Sequence, residues 1–316
     1  MSRTFASQAD LGEKNISFVE LAPGAYAYTA EGDPNAGAII GDDSVLIVEA
    51  LATPLMAEDL IRRVREVTDK PIKHLVLSHY HAVRVLGASA YHASEIIMSE
   101  DTRDLVVERG QQDYDSELGR FPRLFRGADS IPGLTWPTVT FRGRMTLWLG
   151  SREVQILQLG AGHTKGDTVI WLPRERVLYS GDLVEYGATP YTGDAYLTDW
   201  PGTLDNLEAL APQAVVPGRG EALTTADTVR DGFEGTRAFT SELLACAKES
   251  VAAGHSLKEC YDHTYAKLQP RFGHWVIFEH CMPFDVSRAF DEASGIRHPR
   301  IWTAERDQEM WQQLAG

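Results

Sequence analysis

His74-Leu75-Val76-Leu77-Ser78-His79-Tyr80-His81 opens as an apolar run and closes on two histidines one residue apart. A continuous apolar run of this length reads as a strand buried on both faces. Upstream, Val45-Leu46-Ile47-Val48 is a second such run. Between the two, Leu55, Leu60, Ile61 and Val64 recur at helical spacing, with Arg62, Arg63 and Glu66 on the polar side. Strand, helix, strand begins a layered α/β arrangement. The histidines fall where the second strand ends, and ligands of open α/β sheets collect at strand ends. Side chains two apart share a face of a strand, and in a tight turn they can converge on one ion.

Outward from this core, residues 16–49 read as short strands broken by turns. Residues 99–115 read as a helix, and 116–140 as a long irregular loop of the kind that tends to carry function. Strand signals return at 145–149, 153–158, 168–172 and 176–179, followed by a helix around Leu204–Ala211 and a short strand at Ala214-Val215-Val216. From Ala226 the pattern is helical, with Phe239, Leu243, Leu244 and Val251 on one side. The expected organisation is a mixed α/β domain over 1–225 and a C-terminal helical extension over 226–316 that packs on it.

The chain has 316 residues, 30 Lys+Arg against 45 Asp+Glu, and a formal charge of −15. That balance argues against nucleic-acid binding, which needs clustered cations on phosphates. No stretch approaches the ~20 apolar residues of a membrane span. The first ten residues carry no apolar signal core. Three cysteines (Cys246, Cys260 and Cys281) suit reduced thiols, and with the missing signal they point to the cytoplasm.

Two further sites join the histidine pair. His163 lies in the small-residue loop Ala161-Gly162-His163-Thr164-Lys165-Gly166-Asp167. Asp182 follows Tyr179-Ser180-Gly181 at a strand end, where glycine permits a sharp turn. Three imidazoles and one carboxylate suit zinc, or non-haem iron. The order His-x-His, Gly-His-Thr-x-Gly-Asp, Ser-Gly-Asp resembles the metallo-β-lactamase superfamily over about residues 18–222, including Asn35-Ala36-Gly37-Ala38 and the strand before Glu49. The resemblance implies a four-layer αβ/βα sandwich of two mixed β-sheets with the metal at one edge. It also implies His79, His81 and His163 as ligands of the first metal, and Asp182 as the residue that bridges two metals in dinuclear members.

The departures are as informative as the matches. Against the family pattern His-x-His-x-Asp-His, this chain reads His79-Tyr80-His81-Ala82-Val83-Arg84. The late Gly-His-Gly turn is Gly218-Arg219-Gly220. The ligands exclusive to the second metal are therefore gone. Arg84 and Arg219 restore two positive charges beside Asp182, where they can hold that carboxylate or present forked donors to a substrate.

These residues point to a hydrolase that holds one zinc per chain, or iron as the alternative, and uses metal-bound hydroxide on a small anionic or aromatic ester, lactone, thioester or amide. Asp182 would be its fourth ligand or its general base. An iron dioxygenase, a metal-dependent lyase and a non-catalytic metabolite- or partner-binding member are the other readings. Substrate contacts are expected from Arg84, Arg219, Tyr191 and His280. Tyr186, Thr192 and Tyr196 share the loop of Tyr191, and His274 and Cys281 lie beside His280 in the aromatic stretch Phe272–Phe284. Glu49 is expected behind the ligands, Asp167 as a buttress of the His163 loop, and Lys165 and His92 as structural. The aromatic tail suits a homodimer.

Overall fold

The computed structural model describes residues 5–315. Its first sheet has seven strands in the order of the sequence: β1 (Ser17–Ala22), β2 (Ala25–Thr29), β3 (Ala36–Ile40), β4 (Val45–Val48), β5 (Ile72–Val76), β6 (Glu95–Ser99) and β7 (Val139–Phe141). β1 to β4 run antiparallel, and β4 to β7 are parallel. The second sheet has five strands: β8 (Arg144–Leu149), β9 (Arg152–Leu157), β10 (Val169–Leu172), β11 (Val177–Gly181) and β12 (Ala214–Pro217). All its pairings are antiparallel except β11 with β12.

The alternation of each strand builds the layers. Ile39, Leu46, Val48, Val76 and Ile97 of the first sheet pack directly on Ile156, Ile170, Leu172, Tyr179 and Val216 of the second. The other face of the first sheet, with Ile47 and Leu75, is covered by α1 (Pro54–Val67) and α3 (Glu100–Arg120). The other face of the second sheet meets α4 (Trp200–Glu208), α5 (Ala226–Ala252), α6 (Leu257–Phe272) and α7 (Phe278–Ala293). The result is a helix–sheet–sheet–helix sandwich with two mixed sheets. The short helix α2 (Ala82–Val85) follows His81 directly, and α8 (Ala304–Ala315) packs near Tyr191 through Met310 and Leu314, beside Trp302 of the segment before it.

Several elements differ from expectation. β6 and β7 are strands that the sequence pattern does not announce, and each is held by a parallel neighbour rather than by its own pattern. The helix expected over 99–115 runs on to Arg120, which shortens the irregular loop. His92, expected as structural, caps a 3₁₀ turn in left-handed backbone and is exposed. Among the described residues no helix is long and apolar enough to cross a membrane. Cys246, Cys260 and Cys281 are free and buried.

Candidate metal centre

Four strand ends build the site. β5 runs into Ser78-His79-Tyr80-His81, the β9–β10 loop carries His163, β11 ends at Asp182, and β12 ends at Arg219. The close approach of these ends demands glycine. A Cβ on Gly181 (φ +53°) would lie 2.6 Å from Ser78 Oγ, and one on Gly218 would lie 2.5 Å from Asp182 Oδ1.

The three rings meet nearly at right angles, with centroids 4.6–4.8 Å apart. Their metal-facing atoms all lie within 4.8 Å of one another. Each ring is fixed from behind by its other nitrogen: His79 Nδ1 lies 2.7 Å from Ser78 Oγ, His163 Nδ1 2.9 Å from the Tyr191 carbonyl, and His81 Nε2 3.1 Å from Asp194 Oδ2. This leaves His79 Nε2, His81 Nδ1 and His163 Nε2 pointing inward. A partner on the outer nitrogen is how metal-binding imidazoles are oriented.

The residues fit a metal. His79 Nε2 is buried with no hydrogen-bond partner, an unfavourable state that an ion relieves. Burial pushes His79 well below the usual imidazole range and His163 down to about 3, so both are neutral and able to ligate. His81 differs. Burial lowers it, but the carboxylates of Asp113, Asp194 and Glu117 outweigh burial and raise it to about 9.

Those carboxylates come mostly from α3. Asp113 accepts the Ala82 N–H at 2.7 Å and Glu117 the Val83 N–H at 2.8 Å, which caps α2 and fixes the turn after His81. Arg109 holds Asp194 at 3.0 Å from the same helix. Sequence reasoning misses all of these. The available signal is charge at positions 109, 113, 117 and 120, one helical face, all buried.

Asp182 stands between the histidines and the arginines. Its Oδ2 lies 3.9 Å from His79 Nε2, 3.7 Å from His163 Nε2 and 3.1 Å from Arg219 Nη1, and its Oδ1 pairs with Arg84. Burial alone would raise its pKa, but Arg84, His79 and Arg219 hold it far below the usual carboxylate range. Arg84 is fully buried and also donates to the Asn35 and Gly218 carbonyls at 2.8 and 2.7 Å. Its polar contacts are with protein, and it does not line the neighbouring chamber. Arg219 does line it, and also meets Glu185 at 3.2 Å. Burial, then Asp182, raises the Glu185 carboxyl.

The chamber beside the triad is walled by Arg120, Phe121, Tyr191, Ile277, His280 and Cys281, and its free room is about 10 Å³, roughly that of one water. Tyr191 and His280 are thus brought to the site. His274 is exposed and is not brought there. Tyr196 turns outward to His298 at 3.1 Å, and Thr192 donates to Asp285. Behind the triad, Glu49, in left-handed backbone (φ +66°), places Oε2 3.5 Å from the Ser78 amide. Asp167 accepts from the Thr164 amide and hydroxyl and so ties the His163 loop, and Lys165 pairs with Asp101 outside.

Comparison with known proteins agrees with this architecture. The profile of the metallo-beta-lactamase superfamily matches residues 29–219. The metallo-beta-lactamase type 2 of Bacteroides fragilis is 24% identical over 222 residues, 66% of this chain and 80% of its own. The linear primary-alkylsulfatase of a Pseudomonas species is 23% identical over 230 residues, 62% of this chain but 43% of its own. Among solved structures, a metallo-beta-lactamase from Pontibacter korlensis superposes with a TM-score of 0.58 at 18% identity over 72% of this chain and 99% of its own. The DIM-1 metallo-beta-lactamase does so at 0.55 and 19%, over 73% and 98%. With the sandwich and its three-histidine group, the chain belongs to the metallo-beta-lactamase superfamily.

Proposed function

We propose that this chain is a mononuclear metal-dependent hydrolase of a small ester, lactone, thioester or amide. His79, His81 and His163 would hold the ion, with Asp182 as the fourth donor. The observation that carries this reading is the charge arrangement at Asp182: three inward imidazole nitrogens lie on one side, and Arg84 and Arg219 pair with its two oxygens on the other. Where a second ion would sit, guanidinium groups supply the positive charge. The relatives named for lactam and sulfate-ester substrates are both hydrolases, which favours that reaction class.

A bound zinc would supply a Lewis acid and lower the pKa of a water. The protein's own residues then have distinct tasks. Asp182, held ionised by two arginines, orients what it touches through Oδ2 and is too weak a base to keep a proton. Arg84, spent on Asp182 and two carbonyls, positions that carboxylate. Arg219 lies on the chamber wall, where its charge steadies negative charge that develops during attack. The apolar side chains of Phe121 and Ile277 exclude bulk water.

Elemental analysis of purified protein, paired with a panel of aryl esters, lactones and thioesters, tests this. About one zinc per chain, with turnover that disappears in His163→Ala, is the expected result. Two zinc ions per chain, or turnover that survives His163→Ala, overturns it, and one iron per chain shifts the reading to oxidation.

A further inference from the structure

Among the described residues six arginines are buried: Arg84, Arg109, Arg120, Arg123, Arg219 and Arg288. Five are ion-paired: Arg84 with Asp182, Arg109 with Asp194, Arg123 with Asp33, Arg219 with Asp182 and Arg288 with Glu292. Arg120 has no carboxylate within ion-pair distance among the described residues. Its guanidinium lies 4.6 Å from the Phe284 ring, its Nη1 donates to the Tyr191 hydroxyl over 3.4 Å, and its Nε has no partner. Burial opposes its charge, and Glu117 and Asp307 favour that charge from beyond contact distance, so the guanidinium stays charged while keeping donors free for an anion.

The chamber wall beside it is of the same character. His280 is 2% exposed, sits 4.4 Å from the Phe121 ring, and has no partner on either ring nitrogen. Tyr191, which accepts from Arg120, keeps its own proton to donate. Glu117 is on the wall too, but its Oε2 is taken by the Val83 amide. Asp182, the other acid there, is paired twice. Unsatisfied donors therefore converge next to the histidine triad.

We infer that Arg120, His280 and the Tyr191 hydroxyl form a subsite for a small oxyanion of the substrate, a carboxylate or a sulfate-like group. This subsite rests on the proposed function only in taking the triad as the reacting centre. It makes the substrate an anion whose charged group lies beside the bond that reacts. The guanidinium fork and the phenol offer several donors to one group. The free room holds about one water, so an oxyanion enters by displacing the half-buried side chains of Phe121 and Ile277. These two also wall an outer pocket that reaches Asp10, Asp33 and Arg123, which gives a route in. Ile277 is a β-branched residue in left-handed backbone (φ +59°), a strained position at that wall.

Calorimetric titration with acetate and, separately, sulfate tests the subsite, on chelator-treated and on zinc-loaded protein, with chloride at equal ionic strength as the reference. One oxyanion per chain should bind in both preparations. Arg120→Met should weaken it about 10- to 100-fold, the scale of a charge-assisted hydrogen bond lost, and His280→Phe should weaken it less. Whether acetate or sulfate binds more tightly assigns the group as carboxylate or sulfate-like. Arg120 makes no ion pair at contact distance, so Arg120→Met should still fold, as a thermal melt run before the titration checks. Should that variant fail to fold, Arg120→Lys must weaken acetate while folding normally. Absence of binding by either anion, or equal binding by wild type and Arg120→Met, overturns the inference. Because binding is read without turnover, an inactive but anion-binding protein would refute the hydrolase reading alone.

Discussion

Replacing Arg84 by Met leaves Asp182 buried with half its counter-charge. Arg84 is fully buried and makes three protein contacts, to Asp182, the Asn35 carbonyl and the Gly218 carbonyl. Removing one member of a buried pair costs about 3–5 kcal/mol, because the remaining charge is uncompensated. In a chain of this size that is a fall of roughly 6–10 °C in melting temperature, at about 2 °C per kcal/mol. The sign with pH is fixed by Asp182. Its pKa is depressed in the fold, so its stabilisation is fully present above the unfolded value near pH 4 and lost only as pH falls toward the folded one. A thermal melt at neutral pH therefore sees the whole effect. Adding Asp182→Asn to Arg84→Met removes the stranded charge and should recover at least half of the loss, while Arg219 still meets Glu185. A single variant that melts with wild type, or a double variant no better than the single, would refute the view that arginine charge holds Asp182.

Two further outcomes follow from the same charges. Installing Val83→Asp, Arg84→His and Arg219→His together should raise the metal content from about one to about two ions per chain by elemental analysis. Unchanged stoichiometry would show that more than these side chains separates the site from a dinuclear one. Glu49 is pushed up to about 7 by burial, against the pull of Arg84. As pH rises from about 4.5 to 7 the unfolded chain sheds this proton first, so folding stability should decline by about 3 kcal/mol across that window. Glu49→Gln should flatten that decline in chelator-treated protein, and identical slopes in the two proteins would refute the assignment.

What the sequence reveals and what it hides divide along physical lines. His79, His81 and Asp182 are legible because each follows a strand whose apolar run announces itself, and His163 because it sits in a small-residue loop between two strands. Arg84 and Arg219 are legible as replacements, yet their separate fates are not: only packing shows that Arg84 is enclosed by Asn35 and Gly218 while Arg219 reaches the chamber. α3 is harder. Its inner face buries Arg109, Asp113, Glu117 and Arg120, so a search for apolar periodicity sees a surface helix where the fold has a wall of the site. β7 is three residues long and owes its existence to β6. His280 stands almost 100 residues beyond Asp182, and only the packing of α7 brings it to the triad.

The burial of so much charge has one consistent direction. On the α3 side, Asp113, Glu117 and Asp194 surround His81 and make it the most basic of the three imidazoles. On the opposite side, Arg84 and Arg219 surround Asp182 and make it the least basic carboxylate of the site. Each outer ring fixes the residue it surrounds and leaves His81 Nδ1 and Asp182 Oδ2 facing the centre of the triad. Arg120 and His280 belong to neither ring. They come from α3 and α7, they face the same small space, and protein atoms leave Arg120 Nε and both nitrogens of His280 unsatisfied. In an interior where the other buried arginines are ion-paired, that exception marks the face from which an anion would approach the triad.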